Sequence, residues 1–202
     1  LAPKRQEMVV DFCAGAGGKT LHLGAMMLSQ GRLYAFDISE KRLNNLKPRL
    51  KRSGLSNVTP QLLASENDIK IKRLAGKINK VLVDAPCSGL GTLRRNPDLK
   101  WRQSAQGVAE LIQKQTRILQ SAANLLKVGG RIVYATCSVL EEENTQIVEA
   151  FLSKNPQFQR VPVSDILAQH KINLPMSGDY LQLDAITHGT DGFFAVVLEK
   201  MA

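Results

Sequence analysis

Short apolar runs alternate along the chain with longer stretches in which apolar positions recur every three or four residues. The runs MVVDF (8–12), RLYAFD (32–37), VTPQLLA (58–64), KVLVDAP (80–86) and RIVYATCS (131–138) read as strands. Between them, KTLHLGAMMLSQ (19–30), SEKRLNNLKPRLKRSG (39–54) and VAELIQKQTRILQSAANLLKVGG (108–130) read as helices. In the last of these Leu111, Gln115, Ile118, Ala122 and Leu125/Leu126 line one face, and Gly129-Gly130 supplies a C-terminal stop. Ser39 stands at an N-cap position, with Arg42 rather than Glu three residues on, so no capping box forms. Pro48 conflicts with its helical surroundings and predicts a kink or an early helix end.

Strand–helix alternation with apolar strands predicts a mostly parallel sheet covered on both faces, in one doubly wound α/β domain over residues 1–202. The end of the chain breaks the rhythm. YLQLDAI (180–186) and GFFAVVLEK (192–200) are separated only by THGTD, which predicts an antiparallel hairpin closing the sheet. Phe193 and Phe194 are expected to pack in the core of that last strand.

Composition narrows the classes. A length of 202 residues suits a single α/β domain, and no run of about 18 apolar residues or signal peptide is visible. The chain opens on Leu1 against a core strand, which predicts a fragment lacking an N-terminal part. Net charge is +9, with basic residues crowded into KPRLKRSG (47–54), KIKRLAGKINK (70–80) and LRRNPDLKWR (93–102). Such runs are either solvated helix faces or an attraction to a polyanion such as nucleic acid. Three cysteines, Cys13, Cys87 and Cys137, form no C-x-x-C pair and fit a reduced, cytoplasmic protein. His22, His170 and His188 show no ligand spacing, so no metal is expected.

The stretch DFCAGAGGKT (11–20) follows the first strand and is rich in glycine. As a phosphate-gripping loop it ends correctly on Gly18-Lys19-Thr20, but Cys13 stands where such a motif should open. As a dinucleotide fingerprint it has Gly15 and Gly17, with Thr20 in place of the third glycine. Asp37 closes the next strand about twenty residues on, where an acid bonds the ribose hydroxyls of any adenosine cofactor. The loop by itself therefore points to adenosine and leaves the phosphate question open.

In an open α/β sheet, chemistry collects at the carboxyl ends of the strands. Cys87, in VLVDAPCSGLG, and Cys137, in RIVYATCSVL, both sit at such ends and each is followed by Ser. With DFCAGAGGKT, DAPCSGLGTLRRNPDLKWR, ATCSVLEEEN and TDGFFAVVLEK in order, the chain resembles the S-adenosylmethionine-dependent RNA (cytosine-5) methyltransferases. The resemblance is nearest to the bacterial Sun/Fmu type acting on small-subunit ribosomal RNA. It implies a Rossmann-like class I methyltransferase fold with an antiparallel final strand.

For individual residues the resemblance implies the following. Cys13, Ala14, Gly15, Ala16, Gly17, Gly18 and Lys19 would surround the methionine part of S-adenosylmethionine, and Asp37 would bind its ribose. Asp84 would lie between cofactor and cytosine, Cys137 would be the nucleophile, Cys87 would assist product release, and Lys19 would face the reaction centre. Arg94, Arg95, Lys100 and Trp101 would line the RNA side. Two departures stand out: Ala16 replaces a common proline, and the acid that holds adenine is replaced by LASENDIK, where Ser65, Glu66, Asn67 and Asp68 compete and Glu66 is preferred. RNA specificity in the family lies largely in N-terminal extensions, so this fragment is expected to act as a monomer and to methylate poorly alone. The acids of EEEN (141–144) are expected to complement a helix N-terminus.

Overall fold

The computed structural model describes residues 1–174 and 178–202, which divide into two compact units. The first unit comprises residues 1–84, 121–132 and Ala202. It begins with β1 (Met8–Asp11), α1 (Gly18–Met26), β2 (Arg32–Asp37), α2 (Glu40–Ser53), β3 (Val58–Leu62), α3 (Ile69–Lys72) and β4 (Ile78–Asp84). Its strands run in the order β3-β2-β1-β4, followed by β5 (Leu126–Thr136), whose residues 126–132 belong to this unit. The β1–β2, β1–β4 and β2–β3 pairs are all parallel, with Val9 opposite both Leu33 and Lys80. Val9, Val10, Leu33, Ala35, Phe36, Val81 and Val83 are fully buried, as strands covered on both faces require. Pro60 is tolerated because β3 is the edge of this strand order, where a missing N–H leaves no ladder partner unmet.

The early end that Pro48 offered for one helix and the stop expected at Gly129-Gly130 for another are corrected here. α2 continues past Pro48 to Ser53, with Ser39 Oγ capping the Arg42 amide at 3.4 Å. Leu43 and Leu46 before the proline and Leu50 after it pack into one cluster with Ala14 and Ala35, and burial on both sides outweighs the lost backbone bond. The long helix, α5 (Ala105–Leu125), stops short of Gly129-Gly130. From Leu126 the chain is already strand, and Gly129, at φ +72°, lies within β5.

The second unit comprises residues 85–120 and 133–201. It holds α4 (Leu99–Arg102), most of α5, the end of β5, α6 (Thr145–Lys154), β6 (Phe158–Val161), α7 (Val163–Gln169), β7 (Leu181–Leu183) and β8 (Phe193–Lys200). β8 pairs antiparallel with β7, as the hairpin expectation requires, and also with β6. β6 was not legible as a strand: FQRV is short and half polar, and it gains its ladder from β8, with Val161 opposite Val197. Phe194 is buried edge-on to Tyr134, ring centroids 6.5 Å apart, whereas Phe193 is only half-buried. The fold is thus a mixed sheet, mostly parallel, with antiparallel C-terminal strands and flanking helices. Among the described residues no helix is long and apolar enough to cross a membrane.

Candidate active site

In the first unit the glycine-rich loop is anchored to the end of β2. Ala14 N–H donates to Phe36 O at 2.8 Å, and Gly15 N–H donates to Asp37 Oδ2 at 2.8 Å. Asp37, only 5% exposed, also accepts the Ser39 amide on Oδ1 at 2.7 Å. A carboxylate offers about four acceptor sites, so two amides leave capacity for further donors. Gly17 takes φ +90° at the start of α1, and a Cβ there would lie 2.1 Å from Leu46 Cδ1, so only glycine fits. Arg49 Nη1 donates to Ala16 O at 3.3 Å across the same loop.

Two ionic features lie behind and beside the loop. Asp11, 1% exposed, accepts the Thr20 hydroxyl at 2.6 Å on Oδ2. Burial is the main cause that raises its carboxyl from 3.8 to about 6, and the Asp84 charge adds to the effect. Lys19, where a phosphate-binding loop would place its clamp, is paired with Asp84 at 2.6 Å. Both partners are partly exposed, so the pair contributes on the order of 0–1 kcal/mol to stability and serves chiefly to fix direction.

The adenine-side candidates separate by their local bonds. Asp68 caps α3 through the Lys70 amide and ties down the Ala64 amide, both at 2.8 Å, and these bonds lower its carboxyl pKa. Ser65 Oγ accepts the Asn67 amide at 3.2 Å. Glu66 and Asn67 line a cleft of about 310 Å³ with Ile71, Lys72 and residues from the end of α5.

In the second unit the chain turns at the ends of β4 and β5 bring the two cysteines together. Cys87 Sγ and Cys137 Sγ are 3.5 Å apart, and both thiols are half-buried. Hydrogen bonding to Cys137 and burial push the Cys87 thiol well above its ordinary value, so Cys87 keeps its proton at neutral pH. Gly91 makes the arrangement possible. Its N–H donates to Cys137 O at 2.9 Å and its carbonyl accepts Gly192 N–H at 2.7 Å. A Cβ at Gly91 would lie 2.3 Å from Gly192 O and 2.8 Å from Cys137 O.

Beyond Gly91 the basic segment is exposed. Arg95 is ion-paired with Asp191, and Arg94 Nη1 reaches Gly189 O at 3.4 Å, which pins the segment to the turn before β8. Trp101 in α4 is 80% exposed, with Lys100 Nζ 4.8 Å from its ring. An indole that exposed, beside several cations, suits a stacking platform for unpaired bases.

The model of the family described as 16S rRNA methyltransferase RsmB/F matches residues 1–199. The chain belongs to the RsmB/F family. A probable ribosomal RNA small subunit methyltransferase B of Synechocystis sp. is 37% identical over 203 aligned residues, which cover 99% of the chain and 44% of that relative. Among solved structures, PH0851 superposes with a TM-score of 0.89 at 37% identity, over 98% of the chain and 44% of that protein. NSun6 from Pyrococcus horikoshii, solved with SFG, gives a TM-score of 0.83 at 26% identity, over 99% of the chain and 49% of that protein. The chain thus spans less than half the length of these similar proteins.

One residue of this RsmB/F chain departs from its sequence reading. Glu141 and Glu142 are exposed ahead of α6, as acids complementing a helix start would be, but Glu143 is 0% exposed. It turns inward because three hydrogen-bond donors converge on its carboxylate: the Ser88 amide, the Ser88 hydroxyl and Gln115 Nε2. Gln115, on the apolar stripe of α5, was the sequence signal for it, since a polar side chain on a buried face needs a buried partner.

Proposed function

We propose that the chain transfers a methyl group from S-adenosylmethionine to carbon-5 of a cytosine in RNA, namely 16S ribosomal RNA, by way of a Cys137 adduct at carbon-6. The observation that carries this reading is the pair of thiols 3.5 Å apart, one of which holds its proton. A single nucleophile needs no second thiol at that distance, whereas adding and then releasing one sulfur at a ring carbon needs an acid–base partner beside it.

The loop residues fit the cofactor. Beyond the adjoining residues and the backbone of α1 itself, nothing lies within 4 Å of where a Cβ would stand at Gly15 or Gly18, which leaves a cradle open to close backbone approach. α1 starts at Gly18 with no side chain capping its first amides, which favours a carboxylate such as that of a methionine moiety. Cys13, Ala14, Gly15, Ala16, Gly17, Gly18 and Lys19 would hold that moiety, Asp37 the ribose hydroxyls, and Glu66 the adenine. When bound, S-adenosylmethionine supplies an electrophilic methyl group on a sulfonium.

The remaining chemistry belongs to the chain. Carbon-5 of cytosine is a poor nucleophile, so Cys137 Sγ bonds to carbon-6 and its electron pair makes carbon-5 electron-rich. After carbon-5 has been methylated it loses its proton to a base, the carbon-6–sulfur bond breaks, and Cys137 leaves with the bonding pair. Cys87, held as a thiol 3.5 Å away, can give its proton to the Cys137 sulfur as it departs with the bonding pair. Asp84, oriented by Lys19, would hydrogen-bond the nitrogen edge of the ring and stabilise charge developing there. Arg94, Arg95, Lys100 and Trp101 would receive the unstacked strand, since a base must leave its stack to be modified. The test is transfer of labelled methyl from S-adenosylmethionine to 16S RNA transcripts, followed by nucleoside analysis. Label in 5-methylcytidine is expected; label in another nucleoside, or binding of ATP but not of S-adenosylmethionine by calorimetry, would sink the reading.

A further inference from the structure

The two cysteine turns are tied to each other through one buried carboxylate. Glu143 Oε1 accepts the Ser88 amide at 2.8 Å and Gln115 Nε2 at 2.9 Å, and Oε2 accepts the Ser88 hydroxyl at 2.5 Å. Ser88 follows Cys87 directly, and Gln115 Nε2 also donates to Pro86 O at 2.9 Å, so both neighbours of Cys87 are held. On the other side, Ser88 Oγ and Ser138 Oγ are 3.2 Å apart, and Ser138 follows Cys137. A hydroxyl carries one proton. Because Ser88 gives its proton to Glu143, Ser138 must give its own to Ser88, and the chain Ser138→Ser88→Glu143 runs in one direction.

The next residue completes the bracket. Asn144 Nδ2 donates to Ser138 O at 2.9 Å, and Thr136 donates its hydroxyl to Asn144 Oδ1 at 2.5 Å. Tyr134 donates its hydroxyl to Glu143 O at 2.7 Å, which fixes the backbone of the same turn. Thr136 and Ser138 flank Cys137, and both of their protons are directed inward. Neither is left to hydrogen-bond the Cys137 sulfur and blunt its nucleophilicity.

We propose that Glu143 is a positioning residue for the two-thiol reaction. It sets the separation of Cys87 and Cys137 through Ser88 and Ser138, and it polarises the serine hydroxyls away from the nucleophile. The inference rests on the methyl-transfer reading above. Because Glu143 accepts from both Ser88 and Gln115, and Ser88 in turn meets Ser138, a change of one atom at Glu143 reaches both turns.

The test uses E143Q, which keeps shape but replaces the acceptor for the Ser88 hydroxyl with a donor, together with E143A and S138A. Each is assayed for kcat and KM in methyl transfer, and for diamide-driven formation of a Cys87–Cys137 disulfide. Alkylation of Cys13, in the other unit, controls for general unfolding. E143Q is expected to lose roughly ten- to a hundredfold in kcat, with KM for RNA and for S-adenosylmethionine unchanged. E143A is expected to slow disulfide formation by about tenfold while Cys13 reacts at the wild-type rate, because the sulfurs lose their enforced proximity. S138A, which breaks the same chain, is expected to move in the same direction and carries the comparison if E143A does not fold. Wild-type kcat in E143Q, a raised KM at constant kcat, or an unchanged disulfide rate in E143A would overturn the proposal. Label from the wild-type chain in a nucleoside other than 5-methylcytidine would instead refute the reaction, and the disulfide rates would still decide the clamp.

Discussion

Replacing Asp11 with Asn should remove a pH dependence built into the first unit. Asp11 is almost wholly buried, its Oδ1 has no hydrogen-bond partner, and burial raises its carboxyl from 3.8 to about 6. A group whose folded pKa lies above its unfolded value stabilises the fold in its neutral form. That contribution is complete below about pH 4 and is lost as pH rises through about 6. The displacement corresponds to about 3 kcal/mol over the whole window, of which about 2 kcal/mol falls between pH 4.5 and 7.5. Asn keeps an oxygen for the Thr20 hydroxyl but cannot ionise. Urea unfolding of wild type and D11N across that range gives the stability difference directly, free of other titrating groups. Wild type should lose about 2 kcal/mol relative to D11N from pH 4.5 to 7.5. A constant difference would show that Asp11 does not titrate there. A difference of opposite sign would mean the anion is the stabilised form, refuting desolvation as the dominant cause.

Other consequences are as specific. G91A places a methyl 2.3 Å from the Gly192 carbonyl, where backbone must move, and should cost about 3 kcal/mol in thermal or urea unfolding while reducing methyl transfer through Cys137. W101A should weaken RNA binding by about 1–3 kcal/mol in a filter or anisotropy assay. Because the indole is 80% exposed, its stability should stay within about 0.5 kcal/mol of wild type, and S-adenosylmethionine affinity should not change. K19M removes the partner of Asp84 and should lower kcat, with little change in melting temperature, since the pair is partly exposed.

Much of this architecture was legible because its local signals agree with its global packing. β1, β2 and β4 are buried on both faces and therefore read as apolar runs, and α2 and α5 carry one apolar stripe each. Asp37 could be placed at a strand end from spacing, whereas Asp84 stood out only through the family resemblance. The strand β6 was not legible, because it is short and half polar and takes its ladder from β8, distant in sequence. Pro48 acted in the other direction: propensity argued for a kink or an early end to α2, and leucines on both sides of it overrode the early end. Glu143 was hidden for a different reason. Three successive acids read as a solvated run, and nothing in their order says which one turns inward to Ser88 and Gln115.

The central claim is that Cys137 forms the bond to cytosine and Cys87 assists its release, and trapping the adduct tests it most directly. Wild type, C137A and C87A are incubated with S-adenosylmethionine and 16S RNA, and protein–RNA complexes surviving denaturation are resolved on a gel. The account predicts a stable adduct in C87A, where addition proceeds and release fails, and none in C137A. An adduct that persists in C137A and vanishes in C87A would contradict it.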